Sequence, residues 1–100
     1  MISVYPISVD DHAFIAVEVA LPKTNLLAIT TSKGYVMCGA LDVELLRTRL
    51  KSREILAARA VGVKTIEELL EANVESCTQA AEDAGIQPGT PIREALLHMV

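Results

Sequence analysis

Residues 34–63 read GYVMCGALDVELLRTRLKSREILAARAVGV, and the apolar period changes twice along them. YVMCGA (35–40) is a strand-like run closed by small residues. From Asp42 onward, Val43, Leu46 and Leu50 recur at helical spacing, which predicts an amphipathic helix over 42–52 with Asp42 as its N-cap. EILAARAVGV (54–63) returns to an apolar strand. Strand, helix and strand within about 30 residues form a βαβ unit, whose crossover should be right-handed and whose strands pair in parallel. This stretch decides the fold, because what flanks it is of two different kinds.

On its N-terminal side the chain reads as hairpins. ISVYPISV (2–9) and HAFIAVEVAL (12–21) are β-branched runs joined at Asp10-Asp11. Pro6 lacks an N–H and assigns the first strand to a sheet edge or a bulge. In 12–21 both faces are apolar and only Glu18 interrupts them, so the strand needs cover on both sides. LPKTN (21–25) reads as a loop, followed by a strand at 26–32 and a turn at Lys33-Gly34. On the C-terminal side the chain reads as helices. Thr65 and Glu68 form a capping box that opens a helix through about Ala72. Val74, Cys77, Ala81 and Ala84 keep helical spacing in a next helix, closed by Gly85 with Ile86 behind it. Thr90-Pro91 supplies a cap and a first-turn proline for a last helix, 91–98. The expected class is α+β: N-terminal β-hairpins forming a mixed sheet with one βαβ crossover, and C-terminal helices packed on it. Residues 1–100 are expected to be one domain, β-rich over 1–40 and carrying the crossover and helices over 41–100.

One hundred residues with 51% hydrophobic content but only 3% aromatics enclose a modest aliphatic core. So much aliphatic surface on so small a chain predicts that a second copy covers part of it. Residues 1–64 hold eight Lys or Arg against six Asp or Glu, whereas 65–100 hold seven acids against one base. The balances of +2 and −6 make the net charge of −4, and the acidic C-terminal third opposes a phosphate backbone, so no nucleic-acid partner is expected. The basic run RTRLKSR (47–53) splits over two helix faces and reads as a solvated helix end. No apolar run has membrane-spanning length and no secretory leader pattern opens the chain, so the expected setting is cytoplasmic, without a membrane partner. Cys38 and Cys77 make no metal-ligand spacing and are expected to be reduced thiols; neither a metal nor a cofactor is implied.

Four stretches, LPKTNLLAI, GYVMCGALDV, RAVGVKTIEELL and AAEDAGIQPGTPIREALL, closely resemble the YunC-like family, a small bacterial and archaeal domain of unknown function. The resemblance runs over essentially the whole chain. It implies an α+β domain whose N-terminal β region mediates tetramerisation, so a homotetramer is the favoured oligomer. It implies no activity, and no catalytic residue is carried over from it.

A site is therefore sought by geometry. Sheets with parallel crossovers bind ligands beyond the carboxyl ends of their strands, here Cys38-Gly39-Ala40 and Val61-Gly62-Val63-Lys64. Gly39 and Gly62 allow a ligand to approach the backbone. Cys38 is the candidate nucleophile, although an apolar strand favours a packed thiol, and Asp42 at the helix start opposes a low pKa. Cys77 reads as core. A Cys38–His12–Asp arrangement can be drawn, but a turn histidine is the simpler account of His12; His98 reads as a partner of its helix C-terminus. Arg59 interrupts an apolar strand and calls for a carboxylate, Glu18 or Asp42, or an anionic ligand. Lys23, Thr24 and Asn25 form a polar loop able to line a pocket, although a turn is the simpler account. Two classes stay open. One is a non-enzymatic, self-associating binding or structural module. The other is a small cysteine-dependent enzyme or small-anion binder with its site at Cys38 and Gly62 or between subunits.

Overall fold

The structure, a computed structural model, describes residues 2–39, 43–48 and 53–100. Its N-terminal part is an antiparallel meander of β1 (Ile2–Val9), β2 (His12–Leu21), β3 (Thr24–Thr30) and β4 (Gly34–Met37). Then come α1 (Val43–Thr48), β5 (Leu56–Arg59), α2 (Ile66–Glu71), β6 (Ser76–Cys77), α3 (Gln79–Asp83) and α4 (Ile92–Leu97). Strand β5 runs parallel to β4, and β6 antiparallel to β5, so the six strands lie in chain order. The α+β class with one crossover is therefore correct. Asp42 and residues 49–52 of the expected 42–52 helix lie outside the described residues.

Turn chemistry places the hairpins. Asp10 and Asp11 both have positive φ, 49° and 67°, as a type I′ turn requires, and aspartate tolerates that region. The LPKTN segment is a tight turn rather than a loop: Leu21 pairs with Thr24 across Pro22-Lys23. Proline presets the first central residue, and the second then turns left-handed, where Lys23 sits at φ 66° although glycine is usual there. Strand β1 lies at the sheet edge, as Pro6 requires.

Two registered rows cross the whole sheet. Tyr5, Ala16, Ile29, Val36, Ala58 and Cys77 stand side by side, and all but half-buried Tyr5 are buried. This is the face covered by α2, α3 and α4, whose Ile66, Leu69, Ala81, Ile92 and Leu96 complete the core with Phe14 and Leu27. The adjacent row, Val4, Val17, Ala28, Met37, Arg59 and Ser76, points the other way because successive strand residues alternate. On that face α1 covers only the β4–β5 side, where Val43 packs with Ala57, Tyr35, Met37 and Ile55. Over β1–β3 no described element covers it.

The sequence reading of 74–84 as one helix is corrected. Val74 instead donates its N–H to Thr90 O at 2.8 Å, β6 pairs with β5, and a separate α3 begins after Thr78. Buried Thr78 explains the break. Its hydroxyl donates to Ile55 O (2.6 Å) and accepts the N–H groups of Ala57 (3.2 Å) and Ala81 (3.3 Å). One side chain thus fastens the sheet edge and caps the helix. The end of α3 is as expected: Gly85, at φ 101°, donates to Glu82 O, and Ile86 donates to Ala81 O, the paired bonds of a Schellman motif. At α2, Thr65 Oγ1 accepts the Glu68 N–H at 3.0 Å, while the Glu68 carboxylate reaches one residue further back, to the Lys64 N–H at 2.8 Å. Pro91 stands at the cap of α4, and Thr90 Oγ1 instead accepts from Gln87 N–H across the Pro88-Gly89 turn.

Candidate functional site

The parallel pair β4–β5 puts two carboxyl ends side by side, and the β2–β3 turn rises beside them. Cys38 and Gly39 follow β4, Gly62 follows β5 by a short link, and Asn25 is the second residue of β3. These four residues line one groove of about 400 Å³ with Leu21, Thr24, Leu26 and Val63. It adjoins a groove of about 480 Å³ between Lys23 and Lys64 that shares Leu21, Thr24, Asn25 and Val63. The topological rule for ligand sites thus brings four of the five sequence candidates together.

Their chemistry is uneven. Cys38 is only 6% exposed. Its Sγ accepts the Leu27 N–H at 3.4 Å and makes a long contact, 3.8 Å, to Asn25 O, while its own N–H continues the ladder to Leu27 O. A thiol so engaged is a packed strand residue that forms the floor of the groove. Gly62 is in the left-handed region at φ 76°, with no atom near a notional Cβ. At Gly39 a Cβ would meet only Val61 at an ordinary 3.5 Å, so packing within this chain does not demand glycine. His12 pairs with Val9 at the far end of β2. Nine residue steps along the strand separate it from Leu21 at the groove, about 30 Å, so it forms no dyad with Cys38. Cys77 is core as expected; burial pushes its thiol pKa up and Glu82 adds to that, with Arg47 opposing. Among the described residues no cluster of three or more His, Cys, Asp or Glu side chains could hold a metal ion.

Arg59 is not in this groove. It lies in the row on the opposite face from Glu18, and its Nε (3.0 Å) and Nη2 (2.8 Å) both donate to Glu75 Oε1. The Ser76 hydroxyl, also bound to that oxygen at 2.6 Å, and the guanidinium together hold the Glu75 carboxyl below its ordinary range. The expected partner Glu18 instead stands near Tyr5, whose pKa is raised by burial and by that carboxylate; Asp42 lies outside the described residues. Arg59 lines a separate groove of about 300 Å³ with Arg47 and Glu82. Arg47, expected on a solvated helix end, reaches Cys77 O at 2.7 Å and Glu82 Oε1 at 3.1 Å. Both guanidiniums therefore have carboxylates against them.

Sequence reasoning had Lys64 only as the last residue of a strand end and Lys23 and Thr24 only as loop neighbours of Asn25, and named none of them as a ligand-binding residue. All three line the adjoining groove, and neither lysine ammonium has a protein partner among the described residues. The available signal was position: one lysine follows the turn proline, the other ends the segment beyond β5. His98 caps the C-terminus of α4.

Comparison with known proteins gives three matches. Residues 37–99 match the family described as a domain of unknown function (DUF1805). The sequence is 55% identical over 100 residues to the uncharacterised protein YunC of Bacillus subtilis (strain 168), covering 100% of this chain and 99% of that protein. The crystal structure of a protein of unknown function from Thermoplasma acidophilum aligns with a TM-score of 0.89 at 31% identity, covering 100% of this chain and 94% of the other. No helix among the described residues is long and apolar enough to cross a membrane.

Proposed function

Since the chain belongs to the DUF1805, YunC-like family, we propose that it is a self-associating module of the cytoplasm, non-enzymatic in itself, that assembles through the open face of β1–β3. One observation carries this reading. Ile2 (70% exposed), Val4 (63%) and Ile15 (43%) form a continuous apolar patch with half-buried Val17, Val19 and Leu26, on the face that no element over β1–β3 covers. A patch of this kind marks an association surface, and it is self-complementary: the same aliphatic rows of a second copy fit it across a two-fold axis.

The free edge of β1, interrupted at Pro6, offers a second and weaker two-fold contact. Two such axes close a tetramer, which the family resemblance also favours. The Arg59–Glu75 pair supports a structural rather than a ligand-binding role for that arginine, and the engaged thiol of Cys38 supports packing over nucleophilic catalysis. The acidic C-terminal third favours protein contacts over nucleic acid.

Light scattering on the eluting peak tests the proposal. A tetramer has a mass of about 43 kDa, four times the 10.8 kDa chain, and a 10.8 kDa species at micromolar concentration overturns it. Val17→Lys should dissociate the assembly, because an unpaired charge in an apolar interface costs several kcal/mol, about 2 or more. Val4→Lys, at a more exposed position, should do so while keeping the native circular dichroism.

A further inference from the structure

We propose that the groove between the Pro22-Lys23 turn and Val63-Lys64 binds a small organic anion with a short apolar arm, its carboxylate or phosphate head between the two lysines. The grooves of about 400 and 480 Å³ are of a size that takes a small metabolite. Their described lining contains no Asp or Glu, on a chain whose net charge is −4. Lys23 and Lys64 approach from separate segments, and neither ammonium is paired with a carboxylate among the described residues. By contrast, Arg47, Arg59 and Arg93 are each paired with a glutamate. Glu68 comes near through its bond to the Lys64 N–H, and that bond occupies one of its oxygens.

The floor suits the arm of such a ligand. Leu21, Leu26 and Val63 are apolar, and the Cys38 thiol is turned to Leu27 N–H and Asn25 O. At the rim the Asn25 carboxamide and the Thr24 hydroxyl make no hydrogen bond to the described residues, which leaves donors for the head. Two point charges and loose polar groups imply modest, salt-sensitive affinity. Leu21 and Leu26 also belong to the open sheet face, so the groove opens at the margin of the proposed interface without depending on it.

The test is a titration of the whole protein with butyl phosphate, pentanoate, inorganic phosphate and butanol, followed by amide NMR shifts. Butyl phosphate or pentanoate should bind, the tighter of the two identifying the head, and should move the amides of Lys23, Thr24, Asn25, Gly39, Gly62 and Lys64. Inorganic phosphate should bind at least several-fold more weakly, and butanol should not bind. The double variant Lys23→Gln, Lys64→Gln should lose about tenfold or more in affinity with an unchanged fold, because exposed lysines contribute little to stability. Shifts centred on Arg47 or Arg53, unaltered affinity in the double variant, or equal binding of butanol would overturn the assignment. Light scattering of the same samples reads the oligomer separately.

Discussion

The two faces of the β1–β3 sheet are built from the same residue types and meet opposite fates. Toward the helices, Phe14, Ala16, Leu27 and Ile29 are at most 2% exposed. On the other face of the same sheet, Ile2, Val4 and Ile15 face outward at 43% or more. Hydrophobic periodicity reports that a face is apolar, and it is silent on whose atoms cover it. The helix side is covered by this chain; over β1–β3 the described residues leave the other side uncovered.

The sharpest way to break this contrast is to truncate one side chain on each face. Phe14→Ala should destabilise the fold by about 3–5 kcal/mol through transfer and cavity costs, while Val4→Ala should change the monomer's stability by less than about 1 kcal/mol. Denaturant melts of both variants, made at a concentration where assembly is absent, measure the difference; equal losses would mean that the outer face is as constrained as the inner. The cysteines extend the comparison, since both lie on the covered side. Cys38→Ala should cost about 1 kcal/mol, and competitive alkylation with peptide mapping should label Cys38 and Cys77 slowly in the folded protein. Fast labelling at Cys38 alone would return a nucleophilic role to it.

A smaller effect sharpens the hairpin that joins the open strands. Lys23 holds a left-handed conformation, so Lys23→Gly should stabilise by about 0.5–1 kcal/mol as strain relief outweighs the added freedom of the unfolded chain, read as a higher melting midpoint. The least effect comes from Glu75. Its folded pKa lies below the unfolded value, so its contribution is present above the ordinary carboxylate range and is lost as pH falls through the lower, folded value. Glu75→Gln should flatten the acid limb of the stability profile slightly, because the pair is solvent-exposed and screened.

What could be read without coordinates follows the strength of local signals. Alternating β-branched residues and Asp-Asp chemistry located β1 and β2 to the residue, and Gly85 with Ile86 located the end of α3. The failure at 74–84 has a single source. Val74 and Cys77 are buried in an extended segment and Ala81 in a helix, and their spacing imitates one helical face. Thr78, a cap residue before Gln79, was the overlooked punctuation. That error also hid the partner of Arg59, because Glu75 is brought to it only by β6 pairing with β5. The grouping of Cys38, Gly39 and Gly62 was legible because parallel strands end together, whereas Asn25 joins them only through the β2–β3 hairpin. The lysine rim was not, since turn geometry decides where Lys23 stands.

Chain order within the sheet also bears on how the protein is made. The meander needs only neighbouring segments, and hairpins form in about 1–10 μs. At roughly 5–20 residues per second of synthesis, β1–β4 emerge several seconds ahead of α2–α4. During that interval both rows of side chains are bare, and a nascent chain carries twice the apolar sheet surface of the finished one. The two acidic residues at the tip of the first hairpin and the proline in its edge strand are then the features that discourage neighbouring nascent chains from pairing prematurely. The helices arrive last and distinguish the two faces, so that only a completed fold presents the remaining one by itself.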